Sequence, residues 1–146
     1  MKYFVMGEDE NLKKYLKFKL GNQTLDFKDP FAIEDIYFED DVIVDFTVQR
    51  TLFNSHFFVS TELMKVLKMY DSEIDFNSVF IASSKIGSSY FKLSMVRTED
   101  LEEIGDKHIY LIYKDNQAYL LLSVYAAESV LRRFPIGISF KEWVNE

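Results

Sequence analysis

Hydrophobic and polar positions repeat one arrangement twice along this chain. Residues 57–67 read FFVSTELMKVL and residues 120–131 read LLLSVYAAESVL. Each is an apolar run, then a serine, then an amphipathic stretch, and each is followed by an apolar–aromatic ending, IDF at 74–76 and ISF at 138–140. The apolar runs predict strands. The serines predict helix N-caps, because their hydroxyls can accept an otherwise unsatisfied N–H of the first turn. In the first copy Leu63, Val66, Leu67 and Tyr70 share one helical face, with Glu62, Lys65 and Lys68 opposite. In the second, Val124, Ala127, Val130, Leu131 and Phe134 form the expected inner face. Arg132 and Arg133 suit the last turn of that helix, Pro135 stops it, and Gly137 opens the closing strand. The copies share few identities and need one gap, so duplication and convergent physics both satisfy the pattern.

The rest reads mostly as strand. Residues 2–6 (KYFVM) and 42–48 (VIVDFTV) have strand character. Residues 12–20 fit a helical turn at their start and an alternating strand at their end, and 31–38 (FAIEDIYF) fit a short helix. Residues 79–84 and 89–96 flank a hairpin turn at 85–88, and 108–113 and 118–123 flank another at 114–117. An acidic turn or helix is expected at 98–106. Two helices among many strands, without strict alternation, predict an α+β fold: a largely antiparallel sheet carrying two amphipathic helices, the two repeated units side by side on it. With 146 residues and few Gly or Pro, a single domain over 1–146 is expected, large enough to bury about two-thirds of its unfolded surface.

Composition narrows the chemistry. The absence of cysteine removes thiolate catalysis, thiolate metal sites and disulfides. The two histidines, His56 and His108, lie far apart in sequence with no metal-binding spacing, so neither a metal nor a cofactor is expected. Ser60 and Ser123 lack the glycine-flanked turn of a serine nucleophile. No leader and no membrane-spanning apolar stretch is expected, which suits a cytoplasmic protein. A net charge of −7 makes nucleic acid and anionic membranes poor partners and a cationic protein a good one. Carboxylates cluster: Glu34, Asp35, Glu39, Asp40, Asp41 and Asp45 in one stretch, Glu99, Asp100, Glu102, Glu103 and Asp106 in another, and Asp71, Glu73 and Asp75 in a third. The lysine–aromatic stretch at 12–20 fits a protected edge strand better than a base-stacking surface, given the overall charge.

The segments FFVSTELMKVLK and LLLSVYAAESVLRR, the following IGISF and the opening MKYFVM together resemble a family of bacterial polymorphic-toxin immunity proteins, the one numbered eleven, formerly a domain of unknown function. The resemblance covers mainly residues 56–76 and 108–140. It implies a cytosolic antidote that binds the C-terminal toxic domain of a cognate effector and catalyses nothing. That family offers no active-site residues to carry over. The expected toxin-binding surface is therefore the first acidic stretch, Glu34 to Asp45, with Glu99–Glu103 second. A protein-binding adaptor and a small hydrolase using paired carboxylates are the competing expectations.

Overall fold

The computed structural model describes residues 2–10, 18–20, 33–38, 44–50, 55–83, 87–94, 107–115, 117–133 and 135–144. Its strands are β1 (Tyr3–Glu8), β2 (Phe18–Leu20), β3 (Ile33–Phe38), β4 (Phe46–Arg50), β5 (Ser55–Ser60), β6 (Asp75–Ser83), β7 (Gly87–Ser94), β8 (Ile109–Lys114), β9 (Gln117–Ser123) and β10 (Ile138–Glu142). Helix α1 spans Thr61–Tyr70 and α2 spans Val124–Leu131. The fold is α+β and mainly antiparallel, with both helices packed on sheet. The strands form two sheets, ordered β10-β1-β9-β8 and β2-β3-β6-β7-β5-β4. Among the described pairings only β3 with β6 is parallel.

The repeated units therefore do not share one sheet; each organises its own. In the first, β5 and β6 both run antiparallel to the intervening β7, so α1 connects two parallel strands across it. In the second, β9 and β10 flank β1 in the same way, and α2 connects them. With the preceding hairpins included, the orders β6-β7-β5-β4 and β10-β1-β9-β8 correspond strand for strand. The correspondence extends to register. Ser60 lies opposite Tyr90 and Val59 opposite Phe91; Ser123 lies opposite Tyr3 and Leu122 opposite Phe4. Phe76 lies opposite Leu93, and Phe140 opposite Met6. The second unit thus takes its fourth strand from the far end of the sequence, from β1.

Both sheets and both helices enclose one apolar core. Phe46, Phe57 and Val59 come from one sheet, Ile109, Leu120 and Leu122 from the other, and Leu63, Val66, Leu67, Ala126, Ala127 and Val130 from the helices. Behind the four-stranded sheet a second cluster gathers Tyr3, Tyr110, Ile112 and Leu121, with Val5, Tyr119 and Trp143 against it. There the Tyr3 hydroxyl donates to the Lys107 carbonyl at 2.7 Å, and the Lys107 N–H donates to the Tyr110 hydroxyl at 3.0 Å.

Several local expectations change. Residues 33–38 form a strand, not a helix. The β3–β6 register shifts between Ile33 and Ile36, and this bulge spaces the apolar residues by three, which imitates a helical period. β1 runs through Gly7 to Glu8 instead of ending at Met6, because β10 pairs with it to the end. β4 begins at Phe46, after a bend at Asp45. The inner face of α2 is Ala126, Ala127 and Val130; Leu131 ends the helix and is 50% exposed. Arg132 is the C-cap and Arg133 follows it, its guanidinium donating to the Ser129 carbonyl at 2.7 Å. Phe134 and the acidic stretch at 98–106 lie outside the described residues. Among the described residues no helix is long and apolar enough to cross a membrane.

Candidate functional site

The two serines resolve into one device used twice. Ser60 Oγ accepts the Leu63 N–H at 3.2 Å and donates to Asp45 Oδ1 at 2.7 Å. Ser123 Oγ accepts the Ala126 N–H at 3.2 Å and lies 2.7 Å from His108 Nδ1. The backbone follows the same plan: the Ser60 N–H donates to the Asp45 carbonyl at 2.8 Å, and the Ser123 N–H to the His108 carbonyl at 2.7 Å. Asp45 and His108 stand just before β4 and β8, the equivalent hairpin strands. With His108 neutral and its hydrogen on Nε2, the Ser123 hydroxyl donates to Nδ1 just as Ser60 donates to Asp45. A serine beside a histidine has the outline of a nucleophile and its base. Here, however, Ser123 is fully buried, and its oxygen also accepts the α2 N–H. The matching bond in the other half is made by an aspartate, so what both halves require is a partner that fixes the cap.

Outside the caps the two halves diverge. The helices pack against each other, and one end of the pair brings together Asp45, Glu62, Arg133 and Pro135 around a concavity of about 40 Å³. The other end is aromatic. The Tyr70 and Tyr125 rings meet His108 edge-on, with centroids 5.3 and 6.1 Å away. The same strand order and cap bonds support different side chains in the two halves, so these side chains are not dictated by the fold.

The larger feature is a cleft of about 340 Å³ walled by both sheets. Met6, Val48, Phe57 and Ala118 supply its apolar lining. Glu8, Glu10, Tyr119, Ser139 and Lys141 supply its polar groups. Glu8 is placed by β1, where its carboxylate accepts the Thr47 hydroxyl at 3.4 Å and its carbonyl accepts the Ser139 hydroxyl at 2.9 Å. The Tyr119 hydroxyl donates to Gln117 Oε1 at 3.1 Å. Glu10 and Lys141 are exposed.

Of the acidic residues expected on the toxin-binding surface, Asp45 has a described side chain, and it serves as a clamp. Besides holding Ser60, its Oδ2 accepts the Ile136 N–H at 2.7 Å, while its own N–H donates to the Ile136 carbonyl at 2.8 Å. Glu34 and Asp35 lie on β3, four strand spacings from β4, or ~19 Å at ~4.8 Å per strand. Glu39, Asp40, Asp41, Glu99, Asp100, Glu102, Glu103 and Asp106 lie outside the described residues. In the third cluster Asp71 Oδ1 accepts the Glu73 N–H at 3.1 Å, closing the turn after α1. No group of His, Asp and Glu among the described residues is arranged to hold a metal ion.

Sequence reading missed the cleft because its residues come from β1, β4, β5, β9 and β10 and share no local motif. The available signal was Gly7, a glycine inside a strand.

Compared with known proteins, the chain matches no family model and no curated protein.

Proposed function

We propose that this protein is an immunity protein, a non-catalytic binding module that acts in the cytoplasm and neutralises the cationic toxin domain of a cognate effector, such as a nuclease. The observation that carries the reading is the commitment of both serines to helix caps, each held by a second side chain. The Ser123–His108 pair has the outline of a catalytic dyad, and its twin, Ser60–Asp45, marks it as architecture. Recognition is then the role left to the surface, and a chain of net charge −7 recognises cations. A nuclease presents a basic cleft to phosphates, and an acidic protein can occupy it. Long-range attraction raises the rate of capture, which matters when a toxin must be intercepted before it acts. The acidic stretches from Glu34 to Asp41 and from Glu99 to Glu103 belong to this proposed interface.

A second reading, an adaptor that binds a peptide or regulatory protein, draws on the aromatic end of the helix pair, where Tyr125 is 57% exposed beside His108. Co-expression with the toxin domain encoded beside the gene separates the two. The immunity reading expects restored growth and a stable complex of the two chains. A folded protein that neither protects the cell nor binds that domain would overturn it.

A further inference from the structure

We propose that β10 is a self-pairing edge, along which two copies of this chain join their four-stranded sheets antiparallel about a two-fold axis at Phe140. The inference is independent of the toxin reading.

The first observation is an open row of backbone groups. β10 ends its sheet, with β1 on one side of it. The Asp9 N–H donates to the Gly137 carbonyl at 3.0 Å, and the Trp143 N–H donates to the Tyr3 carbonyl at 2.9 Å. A residue in an antiparallel strand turns both its backbone groups to one side, and the sides alternate. Gly137, Ser139, Lys141 and Trp143 therefore address β1, while Ile138, Phe140 and Glu142 turn their N–H and C=O groups away from it. Among the described residues no strand and no backbone bond engages those outward groups. Every residue of β10 is at least partly exposed, whereas β8, at the other edge of the same sheet, is buried from Ile109 to Ile112.

An open edge can accept many extended strands. The residues of β10 select a second copy, and they select one register. With the axis at Phe140, Phe140 faces its own copy, and Ile138 faces Glu142 in both directions, each pair exchanging two hydrogen bonds. Lys141 then faces Ser139, so no like charges stand directly opposite. Glu142 is already matched within its own chain, 3.6 Å from Lys2 Nζ. The neighbouring registers are worse. An axis at Lys141 sets Lys141 across from its own copy, and like charges in that position destabilise a sheet. An axis at Ser139 sets Glu142 across from Ile136, whose N–H and C=O are both bonded to Asp45.

The apolar side chains agree with the same axis. Ile138 and Phe140 are partly buried against the core, and pairing sets Phe140 beside Phe140, an aromatic cross-strand pair. Ile136 and Val144 are 50% and 59% exposed, and each stands four residues from Phe140. The axis brings Ile136 of one copy toward Val144 of the other at both ends of the strand.

The test begins with sedimentation of the full chain over a concentration series. Monomer and dimer are expected and nothing larger, because the pairing consumes the edge. Two copies of net charge −7 repel, so the dimer should tighten as salt rises. Glu142→Pro replaces one outward N–H with a ring that an edge strand tolerates, and should weaken the dimer about ten-fold or more. Glu142→Ala loses only the side chain and should dimerise like the wild type. Register is read with disulfides, in a chain that has no cysteine of its own. Facing residues of a non-hydrogen-bonded pair lie ~4.5 Å apart at Cα and diagonal ones ~7–8 Å, against a disulfide limit of ~7 Å. A mixture of Ser139→Cys and Lys141→Cys chains, both at exposed positions, should therefore cross-link on mild oxidation, and neither variant should do so alone. If Glu142→Pro does not fold, the cysteine mixture carries the test. A chain that stays monomeric to ~1 mM, a dimer untouched by Glu142→Pro, or Lys141→Cys that cross-links with itself would overturn the proposal. A monomeric wild type whose toxin binding is lost in folded Glu142→Pro would overturn it too, and would give the edge to the toxin.

Discussion

Removing the Ser123 hydroxyl tests the duplicated cap most directly. Ser123→Ala deletes the acceptor for the Ala126 N–H, a helix N-cap loss of about 1 kcal/mol. It also strips His108 Nδ1 of a 2.7 Å partner at a part-buried site, which costs about 1 kcal/mol more. The expected total of about 2 kcal/mol corresponds to a fall in Tm of about 6 °C for a chain of this size. His108→Ala removes the same bond and the edge-on contacts with Tyr70 and Tyr125, so it too should cost about 2 kcal/mol. The double variant should then cost about 3 kcal/mol instead of 4, a coupling of about 1 kcal/mol. His108→Asp adds a sharper condition. It places at the second cap the residue the first cap uses, so Ser123→Ala should remain coupled to it. Urea unfolding of the variants, with equal m-values, measures all of this. Additivity within about 0.4 kcal/mol would mean that the Ser123–His108 bond carries no stability, and the equivalence of the two caps would fail as an energetic statement.

Three further outcomes follow from the same structure. Gly137→Ala should destabilise by about 2 kcal/mol or more in thermal melts, because φ is +84° and the new Cβ would lie 2.8 Å from Val44 Cγ1; Val44→Ala should recover the steric part but not the backbone part. Reversing Glu39, Asp40 and Asp41 to Lys should slow association with a cationic toxin domain about ten-fold at low salt, with the gap closing as salt screens it; an unchanged stopped-flow rate would remove that stretch from the interface. EDTA should leave the melting temperature unchanged, since a structural metal would contribute strongly to folding, and a clear drop would point to a site the carboxylates hold.

What the sequence disclosed was whatever is local. Ser60 and Ser123 were legible as caps because a helix start is written in a few adjacent residues, and the IDF and ISF endings correctly marked the returning strands. Partners drawn from distant residues were not legible. Nothing near Tyr3-Phe4-Val5-Met6 says that it completes a unit ending at β10, although the same Tyr-Phe pair recurs at Tyr90-Phe91 in the equivalent strand. The β3 segment was misread because a bulge imposed a three-residue spacing. Leu131 was placed inside because its spacing is right, but α2 stops before the core can cover it. Among the acidic residues, sequence proximity hid a division of labour: Asp45 ties the first cap to the chain at Ile136, while Glu34 and Asp35 stand on a strand across the sheet. Glu8 and Glu10 fall in none of the acidic clusters of the sequence, yet the two sheets place them beside Met6 and Phe57.

The borrowed strand has a consequence for how the protein is made. During synthesis, β4 through β7 emerge as a continuous run, and the first half can close its four strands as soon as Ser94 clears the ribosome. β1 is made earlier than any of them, yet its neighbours β9 and β10 appear only when residues 117–142 are translated, roughly 10 s later at ordinary elongation rates. For that interval a finished strand reading Tyr-Phe-Val-Met has no slot of its own, while the first half is assembling a slot of the same register beside β5. Intramolecular strand theft is therefore the characteristic misfolding hazard of this topology. The chain counters it by proximity: β7 begins only four residues after β6 ends and pairs with it, at far higher local concentration than β1, and seals the first slot before the rightful one exists.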